Sequence, residues 1–215
     1  QRGDMARATE LWRGALARNP DDHKLANRLA WLEPSDDAWL ADVPGGPRIE
    51  AAVTRARGLT PMVGADVSTL LDHTVCQLAS DGSTSCVVTS VQTAHNESGR
   101  DRLTQQTLGG GKVRVLEAYS VDGRGQRAEA SSVQKDVVRF RGLEPGSVVV
   151  VQVRVDAPPI GYLQRHLQRR WFFQQVRASN LLSEFVLWLP KDRHLNEEVD
   201  GAVERTERKV GDHRR

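Results

Sequence analysis

The run Ser147-Val148-Val149-Val150-Val151-Gln152-Val153-Arg154-Val155 decides the fold. Its branched side chains favour extended backbone, and its first half is apolar on both faces. Gln152 and Arg154 then return the second half to one wet face, as expected of a central strand. Working back, Val137-Val138-Arg139-Phe140 leads into this run through the turn residues Gly142-Leu143-Glu144-Pro145-Gly146. Lys112-Val113-Arg114-Val115 alternates, but after Leu116 the apolar phase slips to Tyr119 and Val121, which predicts a bulge. Asp122-Gly123 turns the chain. Working forward, Phe185-Val186-Leu187-Trp188-Leu189 closed by Pro190 reads as another strand, and residues 202–210 as a weak, charged strand near an edge.

The two cysteines flank a second turn. Asp81-Gly82 is a hairpin signal between Val75-Cys76-Gln77-Leu78 and Cys86-Val87-Val88-Thr89. Pairing about residue 81 sets Cys76 opposite Cys86, with facing Cα atoms roughly 4.5–5.5 Å apart, a spacing a disulfide accepts. A register shift of one residue instead leaves two reduced, buried thiols on opposite faces. A disulfide would point to the periplasm or the exterior.

The N-terminal part has a different period. Ala8, Leu11, Trp12, Ala15 and Leu16 share one helical stripe ended by Pro20, and Leu25, Ala26, Leu29, Ala30 and Leu32 make a second before Pro34. The spacing of Ala8, Trp12, Ala15 and Pro20 resembles the second helix of a tetratricopeptide repeat. A lone helix pair of that kind does not bury its own stripe, so further repeats are expected upstream of Gln1. Ser35-Asp36-Asp37 caps a short helix holding Trp39 and Leu40, and residues 49–57 suggest another. If the array docks on the β part, Trp12, Trp31 and Trp39 are buried near the junction.

With 39% hydrophobic residues in 215, the chain has enough apolar material for a real core. Its 30 basic and 28 acidic residues leave a formal charge of +2, which gives no global attraction to nucleic acid or anionic membrane. No apolar run approaches the roughly 18 residues of a transmembrane helix, so no direct membrane insertion is expected.

A family comes into view on four segments taken in order: residues 115–123, Val138-Arg139-Phe140-Arg141-Gly142-Leu143-Glu144-Pro145-Gly146-Ser147-Val148-Val149, Trp171-Phe172-Phe173-Gln174, and residues 184–190. Together they resemble the bacterial domain of unknown function that precedes transglutaminase-like domains in envelope-associated proteins, often with tetratricopeptide repeats. The resemblance implies a β-sandwich-like domain without an agreed activity. In that architecture a downstream domain carries the catalytic cysteine, histidine and aspartate.

Within the chain the chemical signals are sparse. His73 precedes Cys76 by three residues, which on a strand puts the two side chains on opposite faces and argues against a nucleophile and base pair. The six histidines have no ligand spacing, and no metal or cofactor is implied. Gly109-Gly110-Gly111-Lys112 is followed by Val113, where a phosphate loop needs serine or threonine, and reads as a turn. Asn96-Glu97-Ser98 fits a glycosylation sequon but is discounted for a bacterial family. One local basic and aromatic cluster stands out: Arg165, Arg169, Arg170, Trp171 and Phe172, in a stretch with no acid. Trp171 and Phe173 are expected to point into the domain while the arginines coat its outside.

These observations predict a mainly β protein with an α-helical N-terminal part. The expected domains are the end of a tetratricopeptide-type array at 1–34, a helical linker at 35–63 and an antiparallel β-sandwich-like domain at 64–215. The expected function is that of a non-catalytic interaction domain in a larger envelope protein, periplasmic or secreted. It needs no cofactor, contacts a protein partner or neighbouring domain, and binds no nucleic acid. Two alternatives stand beside it. One is the front portion of a transglutaminase-like cysteine protease or cross-linking enzyme, the other a glycan or cell-wall binding module using Trp171.

Overall fold

The computed structural model describes residues 3–18, 37–109, 112–134, 136–159, 170–173 and 178–215. The chain divides into two compact units, Gln1–Ala41 and Asp42–Arg215. In the first, helix α1 (Gly3–Arg18) coincides with the first expected helical stripe, and its Trp12 is partly buried. The second stripe, with Trp31, lies outside the described residues, so the helix pair that defines a repeat is not displayed. A 3-10 helix (Asp37–Asp42) follows where a short capped helix is expected, and its Trp39 is 1% exposed.

Among the described residues the second unit is built on nine strands, β1 (Val67–Leu78), β2 (Thr84–Ala94), β4 (Lys112–Val121), β5 (Arg127–Glu129), β8 (Val148–Ala157), β9 (Ala178–Asn180), β10 (Ser183–Pro190), β11 (Lys209–Val210) and β12 (His213–Arg214), in one sheet of order β11-β12-β10-β1-β2-β8-β4-β5 with β9 also paired to β1. Strands β1 (Val67–Leu78) and β2 (Thr84–Ala94) form the hairpin turned by Asp81-Gly82. The Asp81 carboxylate closes this turn by accepting from the Ser83 amide at 2.8 Å and hydroxyl at 2.7 Å, and Gly82 supplies the positive φ of 90°. Strand β8 (Val148–Ala157) lies between β2 and β4 (Lys112–Val121), antiparallel to both. It is the central strand its sequence predicts, but Gln152 is buried and not on a wet face, because its amide donates to the Pro44 carbonyl and the Thr89 hydroxyl. β4 shifts register between Val115 and Glu117, which puts the bulge at Leu116, and then turns at Asp122 into β5 (Arg127–Glu129).

Both faces of this sheet are covered. On one, Val149, Val151 and Val153 pack with Ala94, Val138, Phe140 and Leu143, and with Leu103 from helix α3 (Glu97–Thr104). Val138 belongs to a small sheet in the order β3 (Gln105–Thr107), β7 (Val137–Arg139) and β6 (Ser132–Gln134). On the other face, Val148, Val150, Leu70, Leu71 and Val91 pack with Ile49 and Ala52 of helix α2 (Gly46–Ala56). Pro47 suits the first turn of α2, where its missing N–H leaves no bond unmade.

Three expectations change. The main sheet is mixed, because β9 (Ala178–Asn180) and β10 (Ser183–Pro190) both pair parallel with β1. Tight turns give antiparallel neighbours, whereas the long chain between Ala157 and Ala178 brings the next strands back in the same direction. The second layer is also not a matching sheet: a three-stranded sheet with α3 covers one face and α2 the other. Finally, α2, expected in a linker, belongs to the β unit because its apolar stripe is needed to cover Val148 and Val150. The weak strand expected at 202–210 shrinks to β11 (Lys209–Val210), which does lie at an edge beside β12 (His213–Arg214).

Candidate functional site

Strand alternation places Asp72, Thr74 and Cys76 on the sheet face that carries the small sheet, and the register sets Ser183 beside Asp72 and Phe185 beside Thr74. Cys76 pairs with Cys86 in the hairpin register, and their sulfurs are bonded, with Cα atoms 4.1 Å apart. Asp72, Thr74, Cys76, Cys86 and Phe185 floor a groove of about 420 Å³ walled by Val88, Leu108 and Val155. Arg170, Trp171 and Phe172 close it from above.

Trp171 is held in place. Its indole N–H donates to Ser183 Oγ at 3.0 Å, its ring stacks at a tilt on Phe185 with centroids 5.4 Å apart, and Phe173 meets it edge-on at 6.5 Å. Asn180 Nδ2 donates to the Phe173 carbonyl at 2.9 Å and ties the segment to β9. Phe172 is 63% exposed beside this platform. The Ser183 hydroxyl in turn lies 3.4 Å from Asp72 Oδ2. Burial pushes the Asp72 carboxyl above the ordinary aspartate range, and the Ser183 hydrogen bond opposes that shift only in part. Thr74 is 4% exposed, and its hydroxyl has no hydrogen-bond partner among the described residues.

On the opposite face a charged cluster ties β1 and β10 to the segment around α2. Trp188 Nε1 donates to Asp42 Oδ2 at 2.7 Å, Arg215 Nε reaches the same oxygen at 2.7 Å, and Arg48 pairs with Glu184. His73, 2% exposed, has its Nε2 3.4 Å from Glu184 Oε2. Burial first, and Arg48 second, lower its pKa to about 4.

The sequence-predicted residues divide accordingly. Arg170, Trp171 and Phe172 come together at the groove, while Arg165 and Arg169 lie outside the described residues. Trp171 and Phe173 are partly buried and Arg170 is exposed, as expected. Cys76 and His73 point to opposite faces. Asn96 caps α3: its Oδ1 accepts from the Gly99 amide at 2.8 Å and its Nδ2 donates to Asp66 Oδ1 at 2.9 Å. Sequence reasoning missed Asp72, Thr74 and Phe185, which line the groove, and Ser183, which anchors Trp171 beside it. Period-two counting from Cys76 places Asp72 and Thr74 on its face, but Ser183 and Phe185 arrive through a parallel pairing that no local signal marks. Among the described residues no three His, Cys, Asp or Glu side chains group in a way that could hold a metal ion. No helix among them is long and apolar enough to cross a membrane.

No family model and no curated protein matches the chain. Among solved structures it resembles a putative protease from Parabacteroides distasonis, with a TM-score of 0.50 and 10% identity over 69% of this chain. An M1 zinc metallopeptidase from Deinococcus radiodurans matches at a TM-score of 0.39 and 14% identity over 73% of the chain. The chain spans 34% and 39% of those two proteins. At this identity the first likeness shows a shared fold alone, and the second is too distant to add to it.

Proposed function

We propose that this chain is an accessory interaction domain of a longer bacterial envelope protein, related to the domains that precede transglutaminase-like domains. In this reading it holds a neighbouring domain or partner protein at the surface formed by Arg170, Trp171 and Phe172. The observation that carries the reading is Phe172, 63% exposed next to an immobilised Trp171 at the mouth of a groove. Aromatic and arginine side chains on a rigid base are the usual anchors of protein interfaces. The fold supports it too, since it occurs as about a third of a longer chain. The disulfide agrees with a periplasmic or secreted setting.

A photo-crosslinking residue at position 172 tests this in cells. One dominant adduct, to a defined protein or to another part of the same polypeptide, is expected, and Trp171→Ala should abolish it. Adducts no more selective than those from Val133, an exposed position on the small sheet, would sink the proposal.

A second reading, the front portion of a transglutaminase-like cysteine protease or cross-linking enzyme, draws support from the fold it shares with a protein described as a putative protease. It predicts a cysteine, then a histidine, then an aspartate downstream in the same reading frame.

A further inference from the structure

Asp72 is half-buried, and among the described residues its carboxylate accepts one long hydrogen bond, from Ser183, and has no cationic partner. Buried charges are ordinarily paired, yet the ionised Asp72 carboxylate has no paired counter-charge among the described residues of the groove. Thr74, two residues along the same face, adds a buried hydroxyl that has no partner among the described residues. The walls beside these groups are aromatic: Phe185 and Trp171 lie against each other, and Phe172 stands at the mouth. An acid at the base of an aromatic slot matches a cation carried on an apolar stem, which gains both a charge-assisted hydrogen bond and contact with ring faces. Arg170 at the rim opposes a run of basic residues and favours an acidic residue next to a single base. The volume, about 420 Å³, lies within the roughly 300–1,000 Å³ of small-ligand sites and suits inserted side chains rather than a folded domain.

We propose that the groove binds an extended peptide segment through one lysine side chain, with the ammonium on Asp72, the stem along Phe185 and Trp171, and an adjacent acidic residue facing Arg170. This rests on the interaction reading and names its ligand. The partner is then a lysine-bearing strand or loop of a neighbouring protein or domain.

The test is calorimetric titration of the chain with acetyl-Ala-Leu-Lys-Glu-Ala-amide and with the same peptide carrying norleucine for lysine. The lysine peptide should bind about tenfold tighter or more, the size of one charge-assisted hydrogen bond. Asp72→Asn should bring the two peptides within about twofold, Asp72→Glu should keep most of the preference, and Phe172→Ala should weaken both. Equal affinity for the two peptides, a preference that survives Asp72→Asn, tighter binding of a glutamate-for-lysine peptide, or binding of neither would each overturn the proposal. The crosslink from position 172 separates this from the broader reading. If it persists in Asp72→Asn and is lost in Trp171→Ala, the interaction surface stands and the lysine assignment fails.

Discussion

His73 and Glu184 are partners in the parallel pairing of β1 and β10, and His73 Nε2 lies 3.4 Å from Glu184 Oε2. With Nε2 donating to this carboxylate, Nδ1 is left as a bare acceptor, and it has no partner among the described residues. The site thus suits neutral imidazole. Protonation would place a second proton on a buried nitrogen with nothing to receive it, close to the cation of Arg48.

The pH dependence of stability follows from that arrangement. The unfolded histidine takes its proton near pH 6.5, whereas the folded one resists until about 4. Between these values the unfolded chain holds more protons, so stability falls as pH drops from 6.5 to 4 and levels off below. The full difference is about 3 kcal/mol at most. Urea midpoints of wild type and His73→Phe should diverge in slope across this window, with the variant flatter. Parallel profiles would mean that His73 titrates as it does in water.

The disulfide gives a second expectation. It closes a loop of sequence separation 10, for which chain-entropy reasoning gives roughly 3 kcal/mol of stabilisation. Cys76→Ser with Cys86→Ser should lower the unfolding free energy by about that amount, and alkylation of the unreduced wild type should leave its mass unchanged. Two alkylated thiols would show the chain to be reduced as isolated.

What was legible in the sequence is what local physics writes there. Val148 to Val151, apolar on both faces, required a covered sheet, and the covers are present as Phe140 on one side and Ile49 on the other. Asp81-Gly82 marked the hairpin but left two registers open, of which the structure takes the one that sets Cys76 opposite Cys86. The slip after Leu116 is a bulge. What stayed hidden depends on contacts distant in sequence. The parallel docking of Ser183 beside Asp72 leaves no mark in either segment, so the groove could not be assembled from its Trp171 side alone. Helix α3 has a visible cap in Asn96, but Asn96-Glu97-Ser98 equally fits a sequon, and the polar, short segment after it has too little periodicity to declare a helix.

Gly99 in that helix answers to a close approach. It is buried against the backbone of Asp66, whose carbonyl accepts from the His95 amide at 2.9 Å, and a Cβ at position 99 would collide with this oxygen. Backbone at the end of a strand has little room to yield. Gly99→Ala should destabilise the fold by about 1–3 kcal/mol despite alanine's better helix propensity. Gly58→Ala, with nothing within 4 Å of the added carbon, is the control and should be close to neutral. Equal denaturation midpoints for the two variants would show that α3 shifts to make space.

Asp72 carries the last prediction, with the opposite sign from an ordinary paired carboxylate. Its folded pKa lies above the unfolded value of 3.8, because burial disfavours the charged form. Between 3.8 and the folded value the native chain holds more protons, so the site's contribution to stability declines as pH rises through that interval and stays unfavourable above it. Asp72→Asn removes the charge and retains an acceptor for the Ser183 hydroxyl. The variant should therefore be at least as stable as wild type at pH 7, and any advantage should vanish below the unfolded aspartate value, where both side chains are neutral. That result would make the carboxylate, which faces an open groove, better explained by a ligand than by the fold. A clear loss of stability in Asp72→Asn at pH 7, measured by urea unfolding, would instead make the carboxylate a structural element of the β1 and β10 pairing.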